Sequence, residues 1–127
     1  MMNQLNHLAS FTISLPPSVN HYTKRTRHGG VMLTDKARAY KREVYSQVGH
    51  LATCEPSQAR LAGEFIVHPA NKRKFDLDNK MKLILDALED ARFFVDDEQF
   101  DEIVLRRGSV VKGGRVDVVL CEIVEEE

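Results

Sequence analysis

The chain has 127 residues, of which 43% are hydrophobic and 29% charged, the size and composition of one soluble globular domain. It contains no apolar run near the roughly 20 residues that cross a membrane, no signal-peptide pattern, and only two isolated cysteines, Cys54 and Cys121, too few for a disulfide framework or a zinc site. The net charge of −1 combines a basic part, residues 1–82 at +7, with an acidic part, residues 83–127 at −8, and the basic part is suited to holding a polyanion.

The first half of the chain is predicted to contain two strands and one helix. In order, the sequence predicts a strand over residues 11–15, a basic loop over residues 18–31, a helix over residues 35–51 and a strand over residues 63–68. Pro16 and Pro17 end the first strand and Pro69 ends the second, because proline lacks the N–H that a strand ladder needs. Thr34 is a good N-cap, so the helix is expected to begin directly after it.

The second half is predicted to contain a helix and two strands. The sequence predicts a helix over residues 78–91, a loop over residues 94–100 and strands over residues 102–111 and 116–124. Lys112-Gly113-Gly114 indicates a hairpin turn between the last two strands. The resulting order, β-α-β-α-β-β, predicts an α+β (mixed α/β) fold with two main helices on a small mixed sheet. We expect one cytoplasmic domain over residues 1–127, with flexible ends at residues 1–10 and 125–127.

Two carboxylates near the start of the second helix are the first candidates for chemistry. Asp76 and Asp78 follow three basic residues, Lys72, Arg73 and Lys74, with only Phe75 between Lys74 and Asp76. Carboxylate oxygens suit a hard cation such as Mg²⁺, and the neighbouring cations suit a DNA backbone. Helix capping is the alternative, but it explains only one of the two carboxylates and not the cations. We therefore favour a metal site at Asp76 and Asp78.

A second acidic cluster, Asp96-Asp97-Glu98, follows the helix. Lys82 lies in the helix itself, one turn after Asp78. The cluster is either a solvated loop or, with Phe93-Phe94-Val95 as an apolar anchor, part of a fixed site. To reach Asp76 and Asp78, the chain must fold back or meet a partner subunit. Lys82 is either an ordinary helix ion-pair partner or a cation placed at the scissile phosphate.

A basic loop in the first half is a candidate DNA contact. It offers cations for phosphate contact and an aromatic ring for stacking on an unpaired base; the alternative is a mobile, solvated loop. The candidates are Asn20, Tyr22, Lys24, Arg25 and Arg27. None of the five histidines has metal-ligand spacing with another.

Taken together, these patterns resemble the RusA family of Holliday junction resolvases. The matching pieces are Leu15-Pro16-Pro17-Ser18-Val19-Asn20-His21-Tyr22, Asp76-Leu77-Asp78-Asn79, Lys82, Asp86-Ala87-Leu88, Phe94-Val95-Asp96-Asp97 and Lys112-Gly113-Gly114-Arg115. Their order and spacing cover the chain from about residue 11 to residue 124. The Asp-Leu-Asp-Asn element followed at this distance by Asp-Asp is the specific part, whereas Lys-Gly-Gly alone is not.

The resemblance implies an α/β homodimer that cuts four-way junction DNA with Mg²⁺, for which Mn²⁺ can substitute. It implies that Asp76, Asp78 and Asp97 are the essential acidic metal ligands and that Lys82 is catalytic. It also implies a bacterial or phage-encoded protein. The chain departs from the family at Phe75, where arginine is common, so that Arg73 and Lys74 are left to make the phosphate contacts, and at Arg92, where glycine is common.

Two other functions are compatible with the same residues. A non-catalytic protein that binds branched DNA would use the acidic residues only to organise its fold, and its binding would need no metal. A nucleotide phosphohydrolase would use the same carboxylates on free nucleotides and would not bind branched DNA. The basic loops favour action on DNA over both.

Overall fold

A computed structural model of the protein describes residues 3–17, 23–53 and 55–125. The elements in chain order are β1 (Asn3–Ile13), β2 (Thr23–Arg25), β3 (Val31–Leu33), α1 (Asp35–Val48), β4 (Arg60–His68), α2 (Met81–Asp90), β5 (Phe100–Arg107) and β6 (Arg115–Glu125). The predicted α+β class, with two main helices and a mixed sheet, is confirmed. Within the described residues, no helix is both long and apolar enough to cross a membrane.

The main sheet has the order β1-β6-β4-β5, with β4 and β5 parallel and the other neighbours antiparallel. The predicted hairpin between the last two strands is therefore wrong, because β4 lies between β5 and β6. Gly113 and Gly114 do form a turn, at φ of 80° and 71°. The connection before that turn is instead bound to the end of β4: Gly108 N–H donates to Val67 O and Val111 N–H donates to Pro69 O, both at 2.9 Å.

Both ends of the chain extend the sheet further than the sequence predicted. β1 begins at Asn3, well before residue 11, and it pairs with β6 from Asn3 opposite Glu125 to Ile13 opposite Val116. Residues 3–10 and Glu125 thus lie in strands, with every one except Leu8 paired, and are not the flexible ends that the sequence predicts; residues 1–2 and 126–127 lie outside the described residues. A register shift between His7 and Ala9 explains why the alternation of apolar and polar residues does not reveal this strand.

The basic loop predicted over residues 18–31 contains a small hairpin. β2 and β3 pair antiparallel, from Thr23 opposite Leu33 to Arg25 opposite Val31. Thr26 N–H donates to Gly30 O at 2.8 Å to close the turn, which Gly29 allows with a φ of 84°. The candidates Asn20 and Tyr22 lie outside the described residues.

The two helices share one core with one face of the sheet. Thr34 caps α1 as predicted, its side chain accepting from Ala37 N–H at 3.2 Å. The buried residues of the helices are Ala37, Tyr40, Val44 and Val48 on α1, and Leu83, Ile84, Leu85, Ala87 and Leu88 on α2. They join alternate residues of β4 and β6, such as Phe65 and Val118, in a single cluster. This packing fixes α2, and with it the candidate site, on the sheet.

Candidate active site

The segments that carry the candidate DNA contacts leave the sheet at one end. The register places Ile13, the last residue of β1, opposite Val116 near the start of β6. It also places His68 of β4 opposite Arg115. Because β4 and β5 are parallel, Arg107 at the end of β5 lies at the same end. The segment that leads to the β2–β3 hairpin and the loop with Lys72, Arg73 and Lys74 therefore leave the sheet at the same end.

The segment before α2 exposes both predicted metal ligands. Lys72, Arg73 and Lys74 are exposed, and so are Asp76 and Asp78, while Phe75 packs partly against the core. Asp78 begins a short 3₁₀ turn, Asp78–Lys80, that leads directly into α2.

Neither carboxylate caps the helix with its side chain. The backbone closes the turn instead, with Asn79 N–H donating to Asp76 O at 3.2 Å. Neither the 3₁₀ turn nor α2 has a side-chain cap. The capping alternative therefore does not explain these two aspartates, and both carboxylates are open to a ligand.

Lys82, on the first turn of α2, contacts the second acidic segment and a carboxylate of its own helix. Its ammonium donates to Asp97 Oδ2 at 2.8 Å and lies 3.2 Å from Asp86 Oδ1. The hydrogen bond that Lys82 donates to Asp97, followed by the one that it donates to Asp86, raises the pKa of Lys82 well above its usual range. The hydrogen bond from Lys82 in turn lowers the pKa of Asp97. The acidic loop therefore folds back within one subunit to reach the start of α2, which settles how Asp97 approaches Lys82.

The position of Asp97 is set by a buried glutamine. Asp97 begins a 3₁₀ turn, Asp97–Gln99, that Asp96 caps through a reciprocal hydrogen-bond pair with Gln99. Gln99 is 7% exposed, and its amide oxygen accepts from the Asp96 backbone at 2.9 Å. Its amide nitrogen donates to Ser57 O and Ala59 O, both at 2.9 Å. The bond to Asp96 closes the turn, and the bonds to Ser57 and Ala59 hold it against the segment before β4.

The predicted apolar anchor of this loop is present at two of its three residues. Phe93 and Phe94 are 3% and 1% exposed, whereas Val95 is 52% exposed. Phe94 meets Phe100 edge-on with ring centroids 5.1 Å apart, and Phe93 packs on Phe11 at 4.9 Å. Phe93 and Phe94 therefore hold the chain that leads to Asp97 against the core, while Asp96 and Glu98 themselves are exposed to solvent.

Three carboxylates come together beside Lys82. Oxygens of Glu89, Asp96 and Asp97 lie within 4.8 Å of one another, and no other acidic or histidine-containing group of this size occurs among the residues described here. Burial raises the pKa of Glu89, partly opposed by a hydrogen bond from the Asp97 backbone. The set offers hard oxygen donors, which suit Mg²⁺. Asp76 and Asp78 do not belong to this group.

Comparison with known proteins identifies the family. The family model described as Endodeoxyribonuclease RusA matches residues 14–120. The chain belongs to the RusA family. It is 36% identical over 113 residues to a crossover junction endodeoxyribonuclease of Enterobacteria phage HK97, covering 89% of this chain and 93% of the relative. It is 30% identical over 121 residues to proteins of the same name from Shigella sonnei and Escherichia coli K12, covering 92% of this chain and 97% of each relative.

Within this RusA-family chain, three residues of the site were not singled out as functional from the sequence. Asp86 was quoted in a family motif but was given no role of its own, although it lies one helical turn after Lys82. Glu89 lies on the same face of α2, at i+7 from Lys82, so the helical spacing could have found it. Arg107 carries no sequence signal, because its position beside Phe75 depends on how β5 ends in the sheet.

The remaining predicted DNA contacts of the RusA fold are exposed cations. Lys24 and Arg25 lie on β2, and Arg27 lies in the turn that follows; all three are exposed. No described residue forms a salt bridge with any of these three side chains or with Lys72, Arg73 and Lys74. Their positive charge is therefore available to an anionic partner.

Proposed function

We propose that this RusA-family chain is a Mg²⁺-dependent Holliday junction resolvase that acts as a symmetric homodimer on DNA in the bacterial cytoplasm. The Lys82–Asp97 pair carries the proposal, because it brings a cation and a carboxylate to the start of α2, directly after the exposed Asp76 and Asp78. The combination of exposed carboxylates with a fixed lysine is what cleavage of a phosphodiester needs.

The residues proposed to hold the metal are Asp76, Asp78 and Asp97, and we expect Mn²⁺ to substitute for Mg²⁺. When bound, the metal supplies Lewis-acid activation of water and neutralises charge on the phosphate. The donor set fits this ion, because all three side chains offer carboxylate oxygens at or near the surface. Asp97 contacts Lys82 in the described chain, so its carboxylate is already held in the ionised form that a metal requires.

The protein's own residues would orient the DNA and stabilise the transition state. In cleavage, water attacks phosphorus in line with the leaving oxygen and gives up one proton to solvent; the bond from phosphorus to the leaving oxygen breaks, and that oxygen takes a proton from solvent. Lys82 donates to the phosphate oxygens as their charge grows. The basic residues after β4 and on the β2–β3 hairpin hold the backbone of the branched substrate.

The proposed dimer follows from the symmetry of the substrate. A four-way junction has two equivalent strands to cut, and a two-fold dimer presents two identical sites related by the same symmetry. Paired nicks then release two duplexes. Sedimentation of the protein with and without a synthetic junction tests this part, since a monomeric complex would contradict it.

The experiment that tests the function is cleavage of a synthetic four-way junction, with and without Mg²⁺, by the wild type and by Asp76→Asn. We expect paired symmetric nicks from the wild type, no nicks from Asp76→Asn, and junction binding by both. Asp35→Asn is the matched control, because Asp35 is an exposed aspartate on α1 that pairs with Arg38. It should cut like the wild type.

Other outcomes would identify the alternatives. Tight junction binding without cleavage in Mg²⁺ or Mn²⁺ would indicate a junction-binding protein. Hydrolysis of free nucleotides with no affinity for branched DNA would indicate a nucleotide phosphohydrolase. If Lys72, Arg73 and Lys74 were neutralised together and neither the affinity nor its salt dependence changed, the proposed contact of this segment with DNA would be wrong.

A further inference from the structure

The residue directly before Asp76 is an aromatic ring held against two cations. The guanidinium carbon of Arg107 lies 4.2 Å from the centroid of the Phe75 ring, and the ammonium of Lys80 lies 5.6 Å from it. Arg107 also donates from Nη2 to the backbone carbonyl of Phe75 at 3.1 Å. The ring and the carbonyl of one residue thus fix the Arg107 guanidinium beside the chain position next to Asp76.

The two cations on this ring have different surroundings. Lys80 is 5% exposed, and its ammonium faces the carbonyls of Pro16 and Pro17 at 3.4 and 3.5 Å. Arg107 is exposed to solvent. Lys80 therefore supports the interior of the site, and only Arg107 presents its charge to a molecule arriving from outside.

The charge of Arg107 has no carboxylate partner among the residues that the structure describes. Its neighbour Arg106, on the opposite face of β5, lies 3.6 Å from Glu64. Arg107 uses one N–H on Phe75, and the rest of its planar guanidinium remains available as hydrogen-bond donors. A guanidinium stacked on a ring loses little further freedom when it binds, and its paired N–H groups match two oxygens of a phosphate.

We propose that Arg107 binds a backbone phosphate of the DNA strand that enters the site beside Asp76. This inference rests on the proposed function, because it concerns the substrate of the same site. Phe75 is the positioning residue: its ring and carbonyl set the direction of the guanidinium. Arg107 thus brings a cation beside Phe75 from the end of β5, at the same end of the sheet as the loop with Lys72, Arg73 and Lys74.

Binding of a fluorescently labelled four-way junction in EDTA tests this role without cleavage. We expect Arg107→Gln to weaken binding by about five- to tenfold at 0.1 M salt and to reduce the slope of log affinity against log salt by about 1, as loss of one phosphate contact does. The loss should be the same for junctions of different sequence. Arg107→Lys should keep the wild-type slope while binding more weakly, because it retains the charge without the planar fork.

Arg106→Gln is the matched control, since it removes an exposed arginine from the next position of the same strand. It should bind with the wild-type affinity and salt slope. If the wild type binds and cuts junctions but Arg106→Gln and Arg107→Gln weaken binding equally, the proposed role of Arg107 is wrong and the proposed function stands. A wild type without junction affinity would overturn the proposed function as well. If Arg107→Gln melts below the wild type, Arg107→Lys decides: an unchanged slope supports the contact, and a reduced slope contradicts it.

Discussion

The two acidic segments of the site differ in how firmly the protein holds them. Asp97 receives a hydrogen bond from Lys82, and the turn that contains it is bound through Gln99 to the segment before β4. Asp76 and Asp78 are exposed, and no described residue forms a hydrogen bond with either side chain. One half of the site is therefore arranged by the fold alone, and the other half is open.

The difference indicates which carboxylates a ligand must fix in position when it binds. A carboxylate that is already paired with a lysine is held in place before any metal or DNA arrives. An exposed carboxylate without a partner gains its fixed position only when a ligand or a partner subunit supplies contacts. We therefore expect changes near Asp97 to alter stability as well as cleavage, and changes at Asp76 or Asp78 to alter cleavage alone.

The largest effect is expected from Lys82→Met, which removes the cation that links the held half to the start of α2. Junction cleavage should fall by about 100- to 1000-fold, the usual loss when one donor to a developing oxyanion is deleted. Junction binding should change only a few-fold. Single-turnover cleavage at saturating protein separates the two quantities.

Lys36→Met is the control for that change, because Lys36 is an exposed lysine on α1. It should cut at the wild-type rate. Cleavage by Lys82→Met within threefold of the wild type would reduce Lys82 to an ordinary ion-pair partner of Asp86 and Asp97.

Gln99→Ala should produce the largest loss of stability in the held half. It leaves the carbonyls of Ser57 and Ala59 and the backbone N–H of Asp96 without their buried partner, which costs about 2–3 kcal/mol of unfolding free energy. Urea denaturation measures this quantity. Gln58→Ala removes an exposed glutamine nearby and should change it little. Equal urea midpoints for the two variants would show that Gln99 does not hold the turn.

The contrast between the two halves was only partly predictable from the sequence. The spacing of Asp76 and Asp78 predicted the open half, because both residues lie within one short segment of the chain. The held half depends on contacts between distant segments. The bonds from Gln99 to Ser57 and Ala59 join residues some 40 positions apart, and no local pattern encodes them.

The fold shows the same division between local and distant information. The helices and the Thr34 cap were predicted, because a 3.6-residue period and a capping side chain are local signals. The hairpin between β5 and β6 was predicted wrongly from the Gly113-Gly114 turn, because a turn does not specify which strand becomes the neighbour. The strand from Asn3 to Ser10 was missed, because its pairing with β6 and not its own alternation makes it a strand.

Lys80→Met tests the buried residue that follows Asp78 and Asn79, whose ammonium faces the carbonyls of Pro16 and Pro17. Burial lowers the pKa of Lys80, so its charge destabilises the folded state below that lowered pKa, and the penalty fades as the pH rises towards the usual value of 10.5. We expect the variant to be more stable by about 1 kcal/mol at pH 7, with the difference shrinking towards pH 10.5. Lys74→Met, which removes an exposed cation, should show no such pH dependence. Thermal melting from pH 6 to pH 10.5 measures both; a less stable Lys80→Met at pH 7 would mean that its contacts with Pro16 and Pro17 outweigh the penalty.

The smallest effect is expected in the thermal stability of Asp97→Asn, compared with that of Asp76→Asn, both measured without metal. Lys82 lowers the pKa of Asp97 below its usual value of 3.8, so the ionised carboxylate stabilises the fold fully above that value and stops doing so as the pH falls through the lowered pKa. Because the pair is largely solvent-exposed, we expect a difference of about 0.5 kcal/mol, or roughly 2 °C in Tm, at pH 7. The Tm values of Asp97→Asn and the wild type should converge as the pH falls through the lowered pKa of Asp97, and Asp76→Asn should follow the wild type throughout. If Asp76→Asn lost as much stability at pH 7 as Asp97→Asn, both carboxylates would be held by the fold, and the open half of the site would have a partner in the free protein after all.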